Sequence, residues 1–151
     1  MPAFVGLGAP HWEPDARGLI SGMTLDTTAD HIIRATLESI AYQTRDLVDA
    51  MRADGADAPQ ALRIDGGMAQ NDWFSQFLSD IVEAPVERPE SHETTALGAA
   101  YLAGLATGVW DGLDDLSAKW EAAGRFEPAM DNAQRDDLLG GWKQALKRAL
   151  I

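Results

Sequence analysis

Leu62-Arg63-Ile64-Asp65-Gly66-Gly67, followed four residues on by Asn71, decides the fold class of this chain. A short apolar run stops at two glycines, and an amphipathic pattern begins directly after them. Phe74, Phe77, Leu78, Ile81 and Val82 recur at i, i+3, i+4, i+7 and i+8, the stripe of a helix with one buried face. The stretch reads as a strand over 61–65, a tight turn, and a helix from Asp72 to Glu83. Adjacent glycines permit positive φ and let a ligand approach the main chain. Open α/β sheets hold their ligands at such turns, outside the carboxyl ends of strands.

Working outward, Ile33, Leu37, Ile40, Leu47 and Met51 predict a helix from Asp30 to Ala53, stopped by Gly55. Residues 3–8 read as a strand or strand end. Residues 9–30, rich in Gly, Pro and Asp, read as a loop with a brief extended piece at Leu19-Ile20. Downstream, Pro85 ends the second helix and Val86-Glu87-Arg88 is a short strand cut off by Pro89. A helix from Thr95 to Thr107 carries small residues (Ala96, Ala99, Ala100, Ala103, Gly104) that predict close packing on a neighbour. A short helix is predicted over Leu113–Ala122. The last runs from Asn132 to Ala149, with Asp136 and Asp137 near its start and Lys143, Lys147 and Arg148 near its end, as the helix dipole favours. Its apolar stripe is Leu138, Trp142, Ala145 and Ala149. The alternation is that of an α/β protein. Three or four short strands fall below the roughly five to six of a mean sheet. The sheet is therefore expected to lack earlier strands on its N-terminal side, leaving an edge open to pairing with a second copy or another chain.

Composition narrows the function. The 151 residues fit one domain, and 46% of them are hydrophobic, enough for a real core. A net charge of -12 argues against nucleic acid and anionic membrane, which attract positive surfaces. It leaves a nucleotide open, since backbone N–H groups and a helix N-terminus can hold one. With no cysteine, disulfides, thiolate metal sites and cysteine nucleophiles are excluded. No apolar run approaches the ~20 residues of a membrane span. No basic leader surrounds Pro2, so the cytoplasm is the expected compartment.

The candidate residues carry two readings each. Gly66-Gly67 is a plain strand-to-helix turn or a close approach to a nucleotide. Asn71 caps the second helix, or its amide, donor and acceptor together, reads an adenine edge; the two roles can coexist. Asp65 is a general base or metal ligand, or it fixes the turn. His11, His31 and His92 have no partners at metal-ligand spacing and read as structural. Trp142 reads as core, and Trp12, Trp73 and Trp110 as packing anchors. No nucleophile constellation and no carboxylate pair is visible, so a complete active site cannot be assembled from these residues.

Gly18-Leu19-Ile20-Ser21-Gly22-Met23, then seven residues, then His31-Ile32-Ile33-Arg34-Ala35-Thr36-Leu37-Glu38, is similar position by position to the second signature of the FGGY family of carbohydrate kinases. Pro2 to Pro10 with Trp12, Glu38 to Asp46, and Glu93 to Gly104 extend the resemblance over most of the chain. It weakens after Trp110. Gly6-Leu7-Gly8-Ala9-Pro10 is similar to the polyol branch rather than the pentose branch. The resemblance implies a ribonuclease H-like fold of the actin and hexokinase type. It implies Mg²⁺-dependent transfer of the ATP γ-phosphoryl group to a polyol, glycerol in the complete enzyme. It further implies that Gly66 and Gly67 meet the nucleotide phosphates and that Asn71 meets the adenine. In the family pattern the catalytic aspartate, the polyol-binding residues, the first domain and the opening strands of the second all precede Met1. Residues 1–151 are thus expected to form the C-terminal nucleotide-binding part of a second domain, not catalytically competent alone. Two alternatives stand beside this reading: a stand-alone nucleotide-binding or self-associating remnant, and a part of a kinase for another sugar or polyol.

Overall fold

Ile81 and Val82 are wholly enclosed because the helix that carries them is covered on one side by a second helix and on the other by the sheet. The computed structural model describes residues 1–91 and 93–150. Its elements are α1 (Ala29–Ala53), β1 (Leu62–Arg63), a 3-10 turn (Gly67–Gln70), α2 (Asp72–Val82), β2 (Val86–Pro89), α3 (Thr94–Thr107), α4 (Leu113–Ser117), β3 (Ala122–Phe126) and α5 (Asn132–Ala149). One sheet has the order β1-β2-β3. β1 and β2 are parallel, with Leu62 opposite Val86. β2 and β3 are antiparallel, with Val86 opposite Phe126 and a register shift at Arg88/Pro89.

The predicted stripe of α2 is the core: Phe74, Phe77, Leu78, Ile81 and Val82 are all buried. Tyr42 of α1 meets Phe77 edge-on at 5.8 Å and stacks on Trp142 of α5 at 5.5 Å. Ser79 and Asp80, two polar side chains inside the core, have hydrogen-bond partners. The Ser79 hydroxyl sits between the carbonyls of Ala84 and Phe126, 2.9 Å from each, and ties α2 to β3. One oxygen of buried Asp80 accepts from Gln76 and from the main-chain N–H groups of Ala129 and Met130, which fixes the approach to α5. The end of α2 turns on Glu83, left-handed at φ 57°. Arg45 of α1 donates to the Ile81 carbonyl at 2.9 Å and to Glu83 Oε2 at 2.6 Å. The buried Arg135 of α5 meets the other Glu83 oxygen at 2.9 Å.

Several expectations are corrected. Residues 3–8 make only isolated bridges, Phe4 to Gly6 and Leu7 to Glu13, and no strand. Leu19-Ile20 lies in a loop, as expected, tied to the start of the chain by the Leu19 N–H donating to the Met1 carbonyl. The helix predicted to reach Ala122 ends at Ser117, and Ala122–Phe126 is a strand. Ala-Ala-Gly has little strand preference, so pairing with β2 creates β3. Gly124 suits that pairing, since a Cβ there would lie 2.9 Å from Arg88 Nε. The face of α1 that packs inward is Ala41, Tyr42 and Val48, whereas Ile33, Leu47 and Met51 of the predicted stripe are exposed. Trp12 is 75% exposed and anchors nothing. Among the described residues no helix or strand packs extensively on α3, and of its own residues only Gly104 is buried, under Trp110.

Candidate functional site

The glycine turn forms as the sequence predicts, at the carboxyl end of β1. Gly66 has φ 81°, a left-handed conformation that side chains resist. Gly67 opens the 3-10 turn, whose first N–H groups have no partner within the turn. The space where a Cβ of Gly67 would lie is open, with no atom within 4 Å. Packing within the chain therefore does not require a glycine at 67.

The turn is held from behind. Ala69 is buried, and its carbonyl accepts from the Ser75 hydroxyl at 3.3 Å and from Arg88 of β2 at 3.1 Å. Arg88 also pairs with Asp72 at 2.6 Å, joining β2 to the first residue of α2. Asn71 is the N-cap of α2, its side-chain oxygen accepting from the Phe74 N–H at 3.1 Å. Asn71 is exposed, and the cap engages its oxygen without using its NH₂ group. Asp65 closes β1 and accepts from the Thr94 hydroxyl at the start of α3. The ends of both parallel strands and the start of α3 thereby meet on one side of the sheet. Arg88 is the site residue that sequence reading missed, because its role depends on a strand pairing that spacing does not reveal.

The other candidates lie elsewhere. The His31 ring accepts from the Thr28 N–H at 3.1 Å and caps α1. His11 lies 3.5 Å from Asp46, whose same oxygen accepts from Trp142 at 2.7 Å. His92 lies outside the described residues. Trp73 stacks on Phe77 at 5.1 Å, with the Arg34 guanidinium over its ring. Among the described residues no group of three or more His, Cys, Asp or Glu could hold a metal ion. An open cavity of about 910 Å³ lies between residues 18–24, the first half of α1 and α5, and the glycine turn does not line it.

A glycine turn at the carboxyl end of a parallel strand, braced from below and followed by a capped helix, is the kind of position at which open α/β sheets hold ligands. Residues 1–107 match the C-terminal domain of the FGGY family of carbohydrate kinases. The chain is 61% identical to a glycerol kinase of Gluconobacter oxydans over 99% of its own length and 29% of that protein's. It is 53% identical to a glycerol kinase of Geobacillus kaustophilus, again over 99% of this chain and 30% of the relative. The crystal structure of Plasmodium falciparum glycerol kinase with ADP superposes with a TM-score of 0.86 at 44% identity, covering 99% of this chain and 30% of that one. A xylulose kinase of Rhodospirillum rubrum gives 0.74 at 27% identity, over 98% and 30%.

The chain belongs to the FGGY family of carbohydrate kinases, and its fold is part of the family's ribonuclease H-like domain. It spans about 30% of the length of the relatives it matches.

Proposed function

We propose that residues 1–151 are the C-terminal nucleotide-binding portion of a glycerol kinase, and that Gly66, Gly67 and Asn71 contact ATP or ADP. The observation that carries this reading is the glycine turn at the carboxyl end of β1, with open space over Gly67 and the capped α2 directly after it. The fold gives no reason for a glycine there, whereas a phosphate group approaching the main chain does. The N–H groups that open the 3-10 turn would face the phosphates, and the free NH₂ group of Asn71 would face the base. The similarity to a kinase solved with ADP supports the same ligand.

Phosphoryl transfer depends on positioning and on stabilising charge around the transferred group. In this reading the chain holds one side of the nucleotide. The remainder of the kinase supplies the glycerol hydroxyl and the group that accepts its proton. Mg²⁺ is usually held by one or two carboxylates together with the phosphates themselves. The described residues offer no ready-made cluster for it, so no residue of this chain is assigned to the metal. The reading assigns the protein to the cytoplasm, where ATP is available. Among the described residues no helix is long and apolar enough to cross a membrane.

Calorimetric titration with ADP tests the proposal. Weak binding is expected, abolished in Gly67→Val. Absence of heat at millimolar ADP, or unchanged binding in Gly67→Val, would overturn the assignment of the site.

A further inference from the structure

We propose that the cavity between α1, α2 and α5 takes a primary alkylammonium group, with its charged head on a free oxygen of Asp80 and its chain on Phe77, Met130 and Leu138. The inference is carried by one buried carboxylate and the space in front of it, and it does not rest on the nucleotide reading.

Asp80 lies near the end of α2 and is only 8% exposed. Taking a carboxylate out of water is costly unless it is paired and hydrogen-bonded. Here every partner is neutral. Gln76 Nε2 at 3.0 Å and the main-chain N–H groups of Ala129 and Met130 at 2.7 and 3.1 Å all reach one oxygen, Oδ1. Three bonds to Oδ1 fix the carboxylate and so hold Oδ2 in a set position. Among the described residues Oδ2 accepts from nothing. It is not sealed off, because the only fully enclosed side-chain nitrogen or oxygen without a partner among these residues is Arg52 Nε. Asp80 lines a cavity of about 360 Å³, and Oδ2 is the atom it has to offer there.

The rest of the lining selects the ligand. Gln76 spends both amide hydrogens, on Asp80 and on the Glu127 carbonyl at 2.8 Å, which leaves its oxygen as a second acceptor. The exposed Gln134 of α5 adds a side-chain amide with no partner among the described residues. Arg34 is the one cation of the lining. Its guanidinium lies over Trp73 at 4.0 Å and donates to Glu38 at 2.6 Å, so these two charges offset each other. One negative charge, that of Asp80, is left without an offset. Phe77, Met130 and Leu138 supply an apolar wall.

A primary ammonium has three donors, no acceptor and one positive charge. On a short hydrocarbon tail it matches this lining. An anion would meet Asp80 and Glu38, and a neutral alcohol would leave the Asp80 charge without an offset. The volume falls at the low end of the roughly 300–1,000 Å³ of small-molecule sites. A free amine and a lysine side chain present the same group.

Titration of the chain with butylamine, followed by heteronuclear NMR, is the test. Saturable shifts are expected at Asp80, Ala129, Met130 and the Gln76 side-chain amide, with millimolar affinity. Butan-1-ol should bind at least about tenfold more weakly, the equivalent of one charge-assisted hydrogen bond. Asp80→Asn keeps an oxygen for the Ala129 and Met130 N–H groups and puts an NH₂ group where Oδ2 was. It should cut butylamine affinity by the same factor, with circular dichroism showing it folded. Gln134→Ala touches no core contact and should lower affinity while leaving the urea midpoint unchanged, which tests the site should Asp80→Asn fold poorly. No saturable shift, equal binding of butan-1-ol, or affinity unchanged in folded Asp80→Asn or in Gln134→Ala overturns the inference. Preference for butylamine over N-acetyl-lysine methylamide upholds it with a free amine as the ligand. The reverse preference upholds it with a lysine side chain as the source.

Discussion

The Thr94 hydroxyl donates to the Asp65 carboxylate and joins the carboxyl end of β1 to the first turn of α3. Among the described residues no other side-chain hydrogen bond leads from α3 to another helix or strand. The helix is therefore anchored to the sheet at one end by an exposed pair, which makes it the least firmly held long element of the fold.

Thr94→Val removes the donor and keeps the shape. Global stability should fall by only about 0.5–1 kcal/mol, the range of a single hydrogen bond. Amide exchange across Thr94–Thr107 should nevertheless rise, while that of α2 stays unchanged. Hydrogen-exchange mass spectrometry distinguishes the two segments.

Gly66 and Gly67 should respond oppositely to alanine. At Gly66 the positive-φ, extended-ψ backbone, open essentially to glycine alone, should cost about 1–3 kcal/mol in urea unfolding. At Gly67 the open space should leave stability within about 0.5 kcal/mol. Under the proposed function Gly67→Ala still weakens ADP binding, so the smaller effect on folding accompanies a real effect on the ligand.

Arg88→Met keeps an apolar stem beside Phe126 and Gly124 but loses the bonds to the Ala69 carbonyl and to Asp72. A stability loss of about 1–2 kcal/mol is expected. ADP affinity should fall three- to tenfold because the 3-10 turn is no longer braced. Calorimetry beside chemical denaturation checks both numbers.

Tyr42 links stability to alkaline pH. Burial raises its pKa above the ordinary 10.0, and the neighbouring Glu38 carboxylate raises it further by charge and by a 3.2 Å hydrogen bond. Above pH 10 the unfolded chain therefore releases a proton that the folded chain keeps. The stabilisation present below pH 10 is lost as pH climbs past it. The stability difference between the native chain and Tyr42→Phe, followed by urea unfolding from pH 9 to 11, should shrink over that window.

Much of this was legible in the sequence where one face alone decides an element. The stripe of α2, the turn at Gly66 and the span Asn132–Ala149 follow from spacing and small-residue chemistry, and they appear as read. α1 misled because it carries apolar residues on two faces: Ile33, Leu47 and Met51 mark one, yet α2 and α5 cover Ala41 and Tyr42 on the other. β3 was invisible because Ala122-Ala123-Gly124 owes its conformation to β2, a long-range cause with no local signal. At the site, Gly66 and the Asn71 cap were readable from local geometry. The brace through Arg88 and the tie from Thr94 to Asp65 were not, since both join residues far apart in sequence.

Glu83 bears on engineering. A non-glycine residue left-handed at a helix end invites replacement by glycine, which relieves about 1 kcal/mol of backbone strain. Here the carboxylate is gripped by Arg45 from one helix and by the buried Arg135 from another. Glu83→Gly would leave the buried Arg135 with only the Asn132 side chain and the Met130 carbonyl as partners, and losing such charge-assisted hydrogen bonds costs about 1.5–3 kcal/mol. The strained residue is a keystone between three helices, and the usual stabilising substitution would weaken the protein.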